Sequence, residues 1–160
     1  MIVSSRAFFG GIVAHVEEHL VIPGPIQAVF DLIADHRRAL EWLTGFTRFD
    51  WVGGPELGLG ARVRTEGEVL GFPVTTNLEI VEFEPPRRLV SRSIGRVKSA
   101  TAWQLESAGH DTLVTFSGEY TLPLALRLIG DRAVENMVGG QVRQSLVNLR
   151  AFFTPSAPTS

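Results

Sequence analysis

Apolar and polar residues alternate along "AHVEEHLVI" (residues 14–22). The alternation puts Val16, Leu20 and Ile22 on one face of a strand and His15, Glu17 and His19 on the other. The run stops at "PGP". Pro25 suits the first turn of a helix, where its missing N–H costs nothing. Ile26, Val29, Phe30 and Ile33 then recur at helical spacing, and a second short helix is predicted over "RRALEWL". A polar, glycine-rich stretch containing "GGPELGLG" follows. Five strands are predicted beyond it, at about 61–69, 74–83, 88–94, 99–106 and 112–121, with turn signals "GFP", "EPPR", "GRVK" and "SAGHD" between them. A further short strand is expected near 48–52.

The last long element is helical. From Asp131 onwards Val134, Val138, Val142, Leu146, Leu149 and Phe153 form one stripe, and Arg132, Arg143 and Arg150 lie on a different side. Leu126 and Ile129 do not fit the stripe, so Gly130 is read as a break between a short helix after Pro123 and the long one. Gly139-Gly140 inside the long helix costs about 1 kcal/mol per glycine relative to alanine. Close backbone approach or a deliberate loosening would offset that. The order of strand, two helices, strand meander and helix gives an α+β fold, a single antiparallel sheet with helices on one face. Long strands twist and curl the sheet. A long helix across the concave face leaves a gap suited to a ligand.

Composition narrows the class. A chain of 160 residues, 44% hydrophobic and 20% charged, suits one globular domain. Residues 1–14 are read as an N-terminal arm or strand extension, 15–153 as a single ligand-binding domain and 154–160 as a disordered tail. The formal net charge of -2 gives no drive towards nucleic acid or anionic membrane. All basic residues but Lys98 are arginine, which reads as coding bias rather than phosphate recognition. The absence of cysteine excludes disulfides, a thiol nucleophile and Cys-based metal sites. No apolar run reaches the roughly 18 residues needed to span a bilayer. "AFFGGIVA" follows only Arg6 and precedes charged "HVEEH", so an arm is the better reading than a signal peptide. A cytoplasmic protein is expected.

The segments "VIPGPIQAVFDLIADHRRALEWL", "GLGARVRTEGEVLGFPV", "EIVEFEPPRRLVSRS", "TAWQLES", "DTLVTFSGEYTLP" and "QSLVNLRAFF" resemble, in spacing and order, the START-like or Bet v 1-like (SRPBCC) superfamily. Within it they resemble the polyketide cyclase/dehydrase and lipid-transport group. The resemblance covers about 16–153. It implies a helix-grip fold: a curved antiparallel sheet of six or seven strands around the long C-terminal helix, with two short helices after the first strand. It also implies that the "IPGP" turn joins the first strand to those helices, with Trp42 near the mouth of the gap. The superfamily contains cyclases, dehydratases, carriers, co-chaperones and hormone receptors, and it has no single catalytic motif to carry over.

Strand alternation proposes the inward residues. Val63, Thr65, Gly67 and Val69 make one set, and Leu78 and Ile80 another. Thr101, Trp103 and Leu105 face Val114, Phe116 and Tyr120, and Val134 and Val138 approach from the helix. Such a lining suits a hydrophobic small molecule, and Gly67, Gly118 and Gly139-Gly140 would remove bulk there. Glu18 shares its face with Val16, Leu20 and Ile22. A carboxylate on an apolar face resists ionisation, so Glu18 is a candidate acid or base, with Tyr120 as a hydroxyl donor. His15, Glu17 and His19 alternate on one face, but a solvated face is the expected reading; no metal and no cofactor are expected. Neighbours on a helix point about 100° apart, so Asp35 and His36 form no relay. "GGPELGLG" lacks a phosphate-loop lysine and a GxGxxG pattern. The expected partner is a hydrophobic small molecule, without nucleic acid and without stable membrane insertion. Three functions follow: a carrier or binding protein for a lipid- or polyketide-like compound, a polyketide cyclase or dehydratase, and an interaction module or co-chaperone.

Overall fold

A computed structural model describes residues 13–69, 71–95, 98–121 and 128–155. β1 (Val13–Ile22) leads into α1 (Ile26–Ala34) and a 3-10 helix (His36–Glu41). β2 (Phe46–Gly53), β3 (Arg62–Val69), β4 (Phe72–Glu84), β5 (Arg88–Ile94), β6 (Ser99–Ala108) and β7 (Asp111–Thr121) follow, and α2 (Asp131–Ala151) closes the chain. The strands form one seven-stranded sheet in the order β1-β7-β6-β5-β4-β3-β2, and all its pairs are antiparallel. β2 to β7 are thus a meander, and β1 crosses over to pair with β7.

The observed bounds lie close to those predicted, and the departures have physical reasons. β2 runs longer than 48–52. It is an edge strand with almost every residue exposed, so no alternation marks its ends. The second helix is 3-10 rather than α: Arg38 N–H bonds the Asp35 carbonyl at 3.1 Å and Trp42 N–H the Ala39 carbonyl at 3.3 Å. Pro25 is the residue before α1 rather than in its first turn, and its carbonyl accepts from Val29 N–H at 3.1 Å. Phe153 lies in the turn after α2. The arm over residues 1–12, the short helix expected before Gly130 (residues 122–127) and the tail from 156 onwards lie outside the described residues. Val13 and Ala14 belong to β1, paired with Thr121 and Tyr120.

The "IPGP" turn is sharp because it is packed and bonded. The Thr112 hydroxyl donates to the Gly24 carbonyl at 2.7 Å. A Cβ at Gly24 would stand 2.6 Å from the Phe153 ring. α1 therefore lies over β6 and β7. Beneath it a core of Ile22, Val29, Phe30, Leu105, Val114, Leu146 and Leu149 is essentially solvent-free. Each such side chain contributes roughly 1.5–3 kcal/mol. Curvature comes from the length of β4, 13 residues, and from its register shift against β5 between Ile80 and Glu82. A bulge of this kind bends a strand and increases its twist.

Candidate ligand cavity

The curved sheet, α2 and the 3-10 helix line a partly open cavity of about 260 Å³. Val63 and Thr65 of β3, Thr76, Leu78 and Ile80 of β4, and Leu89 and Ser91 of β5 form one wall. Thr101 and Trp103 of β6 and Phe116 and Tyr120 of β7 continue it. Val134, Val138, Gln141, Val142 and Ser145 of α2 lie opposite, and His36, Ala39 and Trp42 close one end. The aromatic rings there are coupled. Trp42 meets Trp103 edge-on at 5.3 Å, and Trp103 meets Phe116 at 4.8 Å. Such tilted contacts suit the ring quadrupoles.

Many of the hydroxyls on the walls bond to the walls themselves. Ser91 and Thr101 share a hydrogen bond of 2.6 Å. Thr65 donates to the Thr76 carbonyl at 3.2 Å. Thr44 and Ser145 both donate to the Gln141 carbonyl, each at 2.9 Å. A hydroxyl so engaged presents mostly its carbon side, and the cavity is more apolar than its residue names suggest.

Most residues singled out by alternation meet here. Val63, Thr65, Leu78, Ile80, Thr101 and Trp103 border the cavity, as do Phe116, Tyr120, Val134 and Val138. The side chain of Val69 lies outside the described residues. Leu105 and Val114 require a correction. They face inward and pair with each other across β6 and β7, but they are core residues, 1% and 0% exposed. Alternation gives the face of a strand, not the depth along it, and α1 covers this end.

Glu18 also departs from expectation. It faces α2, as its strand neighbours require, but is not among the cavity-lining residues. Its carboxylate pairs with the Arg143 guanidinium at the seam between β1 and α2. The His15 backbone N–H donates to Glu135 at 2.8 Å along the same seam. Tyr120 does border the cavity, and desolvation pushes its hydroxyl well above the ordinary phenol range. Asp35 engages Arg37 rather than His36. The side-chain hydrogen bond to Arg37 holds its carboxyl below the usual range, and it caps the 3-10 helix by accepting from Arg37 N–H at 3.0 Å.

Two of the glycines read as space-makers for the cavity, Gly67 and Gly118, are crowded by neighbours instead. A Cβ at Gly67 would lie 2.1 Å from the Gly45 carbonyl oxygen, and one at Gly118 would lie 2.7–2.9 Å from the Tyr120 ring and hydroxyl. Gly118 therefore lets Tyr120 fold back along the sheet. Sequence reasoning missed the lining role of His36, Ala39, Gln141, Val142 and Ser145. The first two were legible: 36, 39 and 42 recur every third residue, which is one edge of a 3-10 helix.

Residues 13–153 match the family described as polyketide cyclase / dehydrase and lipid transport. No curated protein matches the chain. Among solved structures, TTHA0849 from Thermus thermophilus superposes with a TM-score of 0.74 at 22% identity, covering 86% of this chain and 94% of that one. The di-domain ARO/CYC BexL from the BE-7585A biosynthetic pathway gives 0.71 at 16% identity, covering 91% of this chain and 51% of that one. Major latex-like protein 151 of Panax ginseng gives 0.70 at 15% identity, covering 91% and 100%. At these identities the likeness is one of fold, the helix-grip fold of Bet v 1-like proteins.

Proposed function

The chain belongs to the polyketide cyclase / dehydrase and lipid transport family, and from that premise we propose that it is a cytoplasmic protein that binds a hydrophobic small molecule, lipid- or polyketide-like, between its sheet and α2. The observation that carries this reading is the cavity itself: apolar walls, aromatic side chains at one end, and wall hydroxyls bonded to each other or to the backbone. Pockets of this composition take ligands by burial of apolar surface, with a few polar groups fixing orientation. Val63, Thr65, Leu78, Ile80, Thr101, Trp103, Phe116, Tyr120, Val134 and Val138 are the contact residues in this reading. No helix among the described residues is long and apolar enough to cross a membrane.

A cyclase or dehydratase is the second reading. Its support is Tyr120, a phenol on the cavity wall that desolvation keeps protonated. Against it stands Glu18, whose carboxylate is held by Arg143 away from the lining residues. Of the two candidate proton-transfer groups only Tyr120 borders the cavity, so the carrier reading is the stronger.

The test is Val138→Trp, which puts a large ring where α2 borders the cavity. Wild type should enhance the fluorescence of N-phenyl-1-naphthylamine. The variant should bind it at least about tenfold more weakly with an unchanged far-ultraviolet circular dichroism spectrum. Equal affinity in the two proteins would place the binding site elsewhere.

A further inference from the structure

The segment that leaves the 3-10 helix is latched to α2. Thr44 N–H donates to Ser145 Oγ at 3.0 Å, the Thr44 hydroxyl donates to the Gln141 carbonyl at 2.9 Å, and Asn148 Nδ2 donates to the Trp42 carbonyl at 3.1 Å. The latch brings Gly45 over the Gln141 side chain. A Cβ at Gly45 would stand 2.9 Å from each of Gln141 Cδ, Nε2 and Oε1. Equal distances to all three atoms mean that the carboxamide turns its flat face to Gly45. Its N–H and C=O edges, which carry the hydrogen bonds, are thus directed away from that contact. The φ of Gly45 is 87°, so glycine serves both the turn and the close approach.

The protein holds this carboxamide in place but does not use it. The hydrogen bonds at Gln141 end on its backbone carbonyl, and its side chain has no hydrogen-bond partner among the described residues. It is not sealed off either. Among the described residues, side-chain atoms that are both buried and unpaired occur only on His36 and Trp42, so Gln141 Oε1 and Nε2 keep accessible surface. Gln141 borders the cavity, and so do its helix neighbours Val138, Val142 and Ser145. Gly45 and Phe46 also border the cavity, and both are exposed. The free edges of the carboxamide therefore stand where the cavity opens, flanked by apolar side chains.

We propose that the Gln141 carboxamide is the polar recognition point at the opening of the cavity, and that it selects an apolar molecule carrying an uncharged hydroxyl at the end nearest the opening. The proposal rests on the cavity being a ligand site. A carboxamide offers an N–H donor and a carbonyl acceptor. A hydroxyl answers either edge, because its oxygen accepts and its proton donates. The apolar body of the ligand then lies towards Trp103 and Phe116, with its hydroxyl at the rim. Gly45 already restrains the side chain, so little of its freedom is lost on binding.

Two probes test this by displacement of N-phenyl-1-naphthylamine at pH 7: 2-naphthol, which is neutral there, and 2-ethylnaphthalene. The quantity read is the ratio of their affinities in each variant, so that their different hydration cancels. Gln141→Met keeps the length of the side chain and a good helix former, and it leaves the backbone carbonyl that Thr44 and Ser145 bond. It should lower the naphthol-to-hydrocarbon ratio about threefold to tenfold, the yield of one net hydrogen bond, with the hydrocarbon's own affinity nearly unchanged. Gln144→Met should leave the ratio as in wild type, because that exposed amide donates to Asn148 instead. The wild-type protein supplies an independent readout. With ¹⁵N-labelled glutamine, the side-chain NH₂ signals of Gln141, identified by their loss in Gln141→Met, should shift with naphthol and not with the hydrocarbon. An unchanged ratio with static Gln141 signals would overturn the recognition proposal and leave the cavity reading intact. A ratio that falls in Tyr120→Phe but not in Gln141→Met would overturn it too, by giving the hydroxyl to Tyr120. Failure of both probes to bind would overturn the cavity reading as well.

Discussion

Tyr120 is the only tyrosine in the chain, so its ionisation can be followed without interference. It is partly buried against the core, and desolvation of the charged form raises its pKa. The phenolate is then disfavoured in the folded state relative to the unfolded one, where the value is about 10. The sign follows from linkage. Stability from keeping Tyr120 neutral is fully present below about pH 10 and is lost as pH climbs above it. At a pH where the denatured chain is half ionised, the native protein should show almost no tyrosinate absorbance. A native titration midpoint at or below that of the denatured chain would mean that solvent reaches the hydroxyl. Tyr120→Phe should flatten the alkaline limb of the stability curve. Gly118 should act on the same property, because any side chain there displaces the ring.

At the scale of elements, Gly139-Gly140 poses the question left open by the sequence. Both glycines have room for a methyl group. A Cβ at Gly139 would lie 3.4 Å from Glu18 Oε1 and 4.0 Å from Val16, and at Gly140 the nearest atom is 3.8 Å away, on Arg143. Close packing therefore does not require them, and a loosened helix is the better account. Gly139→Ala and Gly140→Ala together should stabilise the protein by up to about 1 kcal/mol each and raise Tm by several degrees. Because Val138, Gln141 and Val142 border the cavity on either side of the pair, the double variant should also release N-phenyl-1-naphthylamine more slowly. A lower Tm would show that the glycines hold the helix against β1 after all. The elements themselves were legible because strand and helix periods are read locally. β5 was predicted at its observed bounds, and the stripe from Val134 to Leu149 is the buried side of α2. The site was legible only in part. Pattern places Leu105 and Val114 on the same face as Trp103 and Phe116, and only the packing of α1 separates core from cavity. Likewise nothing local could pair Glu18 with Arg143, which stands 125 positions away.

At the scale of the whole molecule, the sheet order has a consequence in time. Among the described residues β1 precedes the other strands and pairs with β7, with Ile22 opposite Thr112 and Val13 opposite Thr121. About 90 further residues must emerge before the first of these pairs can form. At typical synthesis rates that delay is on the order of 5–20 s. The meander from β2 to β7 can pair as it is made, each strand with the one just before it. Val16, Leu20 and Ile22 meanwhile remain in search of a surface. Closure of β1 should thus be the late step in refolding too, since long-range pairing must first overcome the entropy of the loop. Val16→Ala should speed unfolding while leaving the refolding rate nearly unchanged in stopped-flow measurements. A variant that refolds more slowly in proportion to its lost stability would put β1 in the nucleus instead. If β1 does close last, a nascent chain carries β1 unpaired for seconds while the strand it needs has yet to be made. During that interval its partner strand can be supplied by any neighbouring chain, and crowding on a shared message becomes the main hazard this topology has to survive.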